Sequence, residues 1–196
     1  MAVLIVGLVV FLGLHSVRVF ADDWRSARLK AMGEKGWKGA YSIASLIGLV
    51  LIVWGYGLAR LDPIVLYSPP VWTRHLASLL TLISFVLIAA AYVPRNHLKS
   101  MIGHPMVAGT KIWAFAHLLA NGTLADVLLF GGFLAWSVLL FRTSRARDRA
   151  AGGGIGTTAA APAASMTALT VVGGSIAWIV FALWLHVWLI GVRPFG

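Results

Sequence analysis

The sequence predicts an all-α fold, a polytopic transmembrane bundle of about six helices, and three observations carry that expectation. Of 196 residues 60% are hydrophobic and only 11% charged, with a mean hydropathy of +0.88, far outside the range of a soluble domain. Apolar runs of bilayer-spanning length recur along the chain. Between them, Lys and Arg gather in alternate connections, as short cytoplasmic loops do.

The apolar runs fall at roughly 2–20, 40–60, 73–93, 107–121, 124–141 and 169–191. The first, from Ala2 to Val19, lacks a basic leading region and a small-residue cleavage site, so it reads as a retained helix. The fourth is short, about fifteen residues, and must start near Met101, lie shallow or be shielded by neighbours. Pro105 has no amide to donate and suits a first helical turn, and Gly103 permits a tight entry; a helix start there puts His104 at its N-terminal edge. From Ala150 to Ser165 the stretch AAGGGIGTTAAAPAAS is small and low in complexity, a flexible linker before the last helix. The chain therefore reads as one integral membrane domain, 1–196, carrying a linker at 150–165.

Orientation follows from charge. Arg25, Arg28, Lys30, Lys35 and Lys38 follow the first helix, Arg95 and Lys99 the third, and Arg142, Arg145, Arg147 and Arg149 the fifth, whereas the opposite side offers Arg60, Arg74 and Arg193. Six spans with both termini outside the cytoplasm satisfy every loop. The formal charge of +10 then reports loops facing anionic lipid and not a nucleic-acid partner. With no cysteine, a thiolate metal site, an Fe–S cluster and covalently attached haem are all excluded.

Ionisable residues inside a membrane are expensive, which turns attention to the six histidines. His15 lies late in the first helix, His75 at the outer start of the third, His97 and His104 at the inner approach to the fourth, His117 within the fourth and His186 within the last. A neutral imidazole can also simply hydrogen-bond a carbonyl or reach an interface. Residues 104 and 117 lie about 20 Å apart along a continuous helix, and 97 and 104 about 10 Å. Two axial ligands of one iron must bring their nitrogens within about 4 Å. The segment Asn96–Gly122 is therefore no three-histidine metal cluster, and if it binds haem the second ligand must come from another helix.

The fourth helix places Thr110, Trp113, Ala114, His117, Ala120 and Asn121 on one side, where small residues admit another helix or a flat macrocycle. His186 has Ala182 one turn before it. His15 shares its face with Leu8, Phe11 and Leu12, and Arg18 one turn later suits either a haem propionate or a lipid phosphate. His104, at the inner surface, is placed to move protons, to touch a ligand's polar end or to cap its helix. Asp126 complements the dipole at the start of the fifth helix. No carboxylate pair, nucleophilic triad, G-x-G-x-x-G or Walker signature argues for a hydrolase or a nucleotide site.

Taken together, HSVR from His15, YSIASLIGL from Tyr41, NHxxxxxxHPMxxGxxxWAxAHLLANG from Asn96 to Gly122, DVLLFGGFLAW from Asp126 and the closing HVWLIGVRPFG resemble the NnrU family of bacterial membrane proteins. The resemblance covers nearly the whole chain apart from the linker and is most specific in the fourth helix. That family is similar to 15-cis-zeta-carotene isomerase, a membrane enzyme carrying non-covalent haem b between histidines. The resemblance implies a multi-pass protein of the bacterial inner membrane, linked to denitrification through nitrite and nitric oxide metabolism. It further implies His15 and His117 as haem ligands, His104 as a third, catalytic histidine, and a displaceable ligand that opens the iron to a polyene or to nitric oxide. On the predicted topology His186 lies nearer the depth of His117 than His15 does, and it stands as the alternative ligand. A fold does not carry its relatives' chemistry with it, so isomerase activity is one expectation beside two others. One is a non-enzymatic assembly factor for denitrification enzymes; the other is a membrane methyltransferase, suggested by the HP-x-x-x-G helix entry.

Overall fold

The computed structural model describes residues 1–153 and 161–195. Residues 154–160 of the expected linker lie outside the described residues. The helices are α1 (Ala2–Phe20), α2 (Asp22–Ala59), α3 (Val71–Tyr92), α4 (His97–Ile102), α5 (Pro105–Ala120), α6 (Leu124–Ala150), α7 (Ala164–Val180), a π-helical turn over Phe181–Leu185, and α8 (His186–Ile190). Five of the helical stretches, α1, α2, α3, α6 and Ala164–Ile190, are long and apolar enough to cross a membrane. The short fourth run corresponds to α5, which at 16 residues is not among those five. Among the described residues no strand forms, and the only bridge pairs Val65 with Thr123.

One expectation needs correction. The basic connection after the first span is not a loop, because α2 begins at Asp22 and runs 38 residues, broken only at Gly33, where φ of 72° and ψ of 165° divide it. Its polar part is held by pairs within the helix: Glu34 accepts from Lys38 at 2.6 Å, Asp22 faces Arg25 at 3.6 Å, and Arg28 lies over the Trp24 ring. Asp22 and Asp23 also meet the positive end of the helix dipole. The stretch ahead of the fourth span is helical too, forming α4. Asn96 caps it by accepting from the Lys99 amide at 2.7 Å, while its own amide donates to the carbonyls of Ala90 and Val93, so α3 and α4 share one buried junction. The entry at Gly103-His104-Pro105 is as expected: Gly103 has φ of 76°, His104 is the N-cap and Pro105 opens α5.

The described chain forms two compact units, residues 1–68 with 122–136, and 69–121 with 137–196. In the first, α1 and α2 run antiparallel at backbone contact. A Cβ on Gly55 would strike the Leu4 backbone, one on Gly48 the Phe11 backbone, and one on Gly7 the backbone of Leu51 and Ile52. This register aligns a three-and-four stripe on α2, Tyr41, Ser45, Gly48, Ile52, Gly55 and Ala59, with Leu4, Leu8, Phe11 and His15 on α1. Residues 64–67 are tied to the start of α6 by Leu66 and Tyr67 amides donating to Gly122 O, and by Leu124 N donating to Ile64 O.

In the second unit α3 is central. On one side Ser84, fully buried, donates to Gly109 O of α5 at 2.8 Å, and Gly109 lets that carbonyl approach. On α7, Gly174 lies against the Val86 backbone, and Trp178 Nε1 donates to Thr81 Oγ at 3.0 Å.

Candidate functional site

In the first unit the histidine of interest is enclosed by rings. His15 stacks on Phe11 at 4.2 Å between centroids, meets Tyr41 edge-on at 5.3 Å and faces Trp136 at 6.1 Å and 89°. Phe133 continues the wall, 5.8 Å from Phe11. His15 Nδ1 lies 2.7 Å from the carbonyl oxygen of Phe11. A carbonyl only accepts, so Nδ1 carries the hydrogen and the neutral ring keeps its lone pair on Nε2. Arg18, one turn further along α1, is exposed.

Two buried side-chain atoms without a hydrogen-bond partner stand out among the described residues, Ser45 Oγ and Trp136 Nε1. Trp136 is one of the rings around His15, and the α1–α2 register brings Ser45 level with Leu14 and His15. A serine inside a helix usually returns its hydroxyl to the carbonyl four residues back; Ser45 leaves that bond unmade.

In the second unit His117 repeats the same device. Its Nδ1 lies 2.9 Å from the carbonyl oxygen of Trp113, whose ring it touches at 5.1 Å, so here too the lone pair falls on Nε2. The shared face of Trp113 and His117 is as expected. The carbonyl of His117 takes both the backbone and side-chain amides of Asn121, which closes α5.

His186 follows a π-helical turn, Phe181–Leu185, and the Phe181 ring, five residues back, lies edge-on to its own at 5.9 Å. Its Nδ1 lies 2.7 Å from Val192 O, beyond the left-handed Gly191 at φ 77°, which makes it the clasp of the chain's last turn.

His104 pairs through Nε2 with Asp148 Oδ2 at 2.8 Å, and its ring lies edge-on to Phe141. Beside it Arg145 donates to Ile102 O at 3.3 Å, so the α4–α5 turn is fastened to the polar end of α6. Asp148 is the single acidic residue of the second unit. His97 bonds Thr167 Oγ through its backbone amide and its ring, at 3.0 and 2.8 Å, and so joins α4 to α7. His75 is exposed and lines a hollow of about 110 Å³ with Val71, Arg74, Pro194 and Phe195, well below the roughly 300 Å³ at which cofactor pockets begin.

Sequence reasoning passed over Tyr41, Ser45 and Trp136, because each is ordinary in an apolar helix until a neighbouring helix is supplied. It also passed over Lys111, which the sequence did signal as a cation inside a span; its Nζ lies 4.7 Å from the Phe141 ring centroid.

Among the described residues no three His, Asp or Glu side chains converge on a point, so the histidines offer single axial nitrogens and not a metal cage. A b-type haem asks for such a nitrogen, an apolar aromatic surround and donors for its two carboxylates. His15, with its fixed tautomer, its ring enclosure and the two orphaned donors Ser45 and Trp136, fits that demand.

These features define a polytopic helical membrane protein that presents tautomer-fixed histidines from apolar helices. The chain belongs to the NnrU protein family, whose model matches residues 3–194, nearly its whole length. No curated protein and no solved structure matches it.

Proposed function

We propose that this NnrU-family chain is a haem b protein of the bacterial inner membrane serving nitrite and nitric oxide metabolism, with His15 and His117 as iron ligands. The observation that supports it most is the pair of Nδ1–H bonds to the carbonyls of Phe11 and Trp113. Metal-bound histidines characteristically spend their second nitrogen in this way, which orients the ring and raises the basicity of the other nitrogen. When bound, haem b supplies a one-electron couple and, where one histidine is displaced, a coordination position for nitric oxide or for a polyene in an isomerase reaction. The chain's own part is to orient the imidazoles, to keep water away with Phe11, Phe133 and Trp136, and to set the His104 ring against the Asp148 carboxylate. Arg18 adds a cation one turn from His15 for a carboxylate of the group. The test is the absorbance of the purified protein after expression with ample haem. A Soret band that shifts on reduction and on addition of nitric oxide is expected, and its absence would sink the proposal.

A further inference from the structure

We infer that Ser45 and Trp136 are the carboxylate-recognition residues of the site at His15, donating hydrogen bonds from hydroxyl and indole N–H to a carboxylate of the bound porphyrin. This rests on the haem reading of His15 given above. An indole nitrogen donates and cannot accept, so whatever completes Trp136 must be an acceptor. The described residues do not supply one. Of the five acids in the first unit, Asp22 faces Arg25, Glu34 takes Lys38, Asp126 is filled by Tyr56 and Thr123, and Asp23 and Asp62 are exposed. A buried donor left unmade is costly, and native structures keep few of them without a reason. Here the two found among the described residues come from two different helices at the level of one imidazole, Trp136 with its ring 6.1 Å from that of His15 and Ser45 level with Leu14 and His15 by the α1–α2 register. Packing alone does not ask for either atom. Alanine would fill Ser45's place on the α2 stripe, and phenylalanine, as at Phe130 and Phe133 on the same helix, would supply an aromatic wall without an N–H. The acceptor has to arrive with a ligand that also fills an aromatic, histidine-bearing surround, and the carboxylates of an otherwise apolar macrocycle meet both requirements.

The experiment compares the full-length protein with Ser45→Ala and Trp136→Phe, haem-free and haem-loaded, using haem and its dimethyl ester as probes. Without haem, Ser45→Ala unfolds at the parent's temperature or above it, because a stranded hydroxyl has been removed. With haem, both variants show a smaller ligand-induced rise and about tenfold weaker binding, as loss of a hydrogen bond to a charged group predicts. The parent's preference for the acid over the ester shrinks in both variants. Parental affinity and an undiminished preference for the acid in both variants would overturn the inference while leaving haem at His15 standing. So would a haem-free Ser45→Ala protein less stable than the parent, since that would make the hydroxyl structural. A parent with no Soret band overturns this inference and the haem reading together.

Discussion

The Tyr56 hydroxyl on α2 donates to Asp126 Oδ1 on α6 at 2.6 Å, while Thr123 gives its backbone N–H and its hydroxyl to the other carboxylate oxygen. Thr123 and Asp126 form a reciprocal box at the start of α6, and Tyr56 ties that box to α2. Asp126 is 5% exposed. Asp126→Ala strands three donors and is expected to cost about 1–3 kcal/mol. Tyr56→Phe leaves the Thr123 bonds in place and should cost less. Denaturant unfolding in detergent, followed by circular dichroism, checks the order; equal losses in the two variants would contradict it.

Backbone contact between α1 and α2 makes a sharper prediction within one helix. Gly55→Ala must push a methyl into the Leu4 backbone, whereas a Cβ at Gly57 meets nothing within 4 Å. Gly55→Ala should lower the unfolding midpoint. Gly57→Ala should hold or raise it, by up to the roughly 1 kcal/mol that separates Ala from Gly in a helix.

The His104–Asp148 contact is part-exposed, the Asp148 side chain by 44%, so its strength should be modest. A double-mutant cycle with His104→Ala and Asp148→Ala is expected to return a coupling no larger than about 1 kcal/mol. A coupling several times larger would mean that the pair is shielded from solvent in the native protein.

The two candidate ligands and the clasp histidine should separate spectroscopically. His15→Ala and His117→Ala should each lower haem occupancy roughly tenfold or more, since ligand-shell changes of this kind cost that much or more in metal affinity. His186→Ala, which loses the bond to Val192 O, should keep the parent spectrum and fray only the chain end. Full haem in His15→Ala with loss in His186→Ala would exchange their roles.

Tyr67 lies in the connection after α2, where burial, and then the negative Asp126, push its phenol above the ordinary value near 10. The folded state holds this proton more tightly than the unfolded one. Its contribution is therefore complete below about pH 10 and falls away as pH rises through the folded value. Against Tyr67→Phe, the parent should lose unfolding temperature faster above that pH. Parallel curves would remove Tyr67 from the balance.

Hydropathy located the apolar spans because desolvating an exposed helix backbone leaves a chain few choices in lipid. It missed the polar half of α2, since a charged helix at an interface shows no apolar run and declares itself only through pairs such as Glu34–Lys38. The His-Pro entry to α5 was legible because Pro105 and Gly103 act locally. The contact of His186 with the Phe181 ring was not, because it depends on a π-helical turn that no local pattern announces.

What the sequence determined by itself is the class: a cysteine-free, basic, helical membrane protein with histidines inside apolar segments and an NnrU pattern, all properties of composition and short-range spacing. The tertiary structure decided what each polar side chain does. Whether an imidazole spends its Nδ1 on a carbonyl, whether Asp148 takes His104, and whether Ser45 and Trp136 stand unsatisfied beside His15 depend on residues far apart in the chain. Interhelical register and packing bring them together, and no local pattern encodes that.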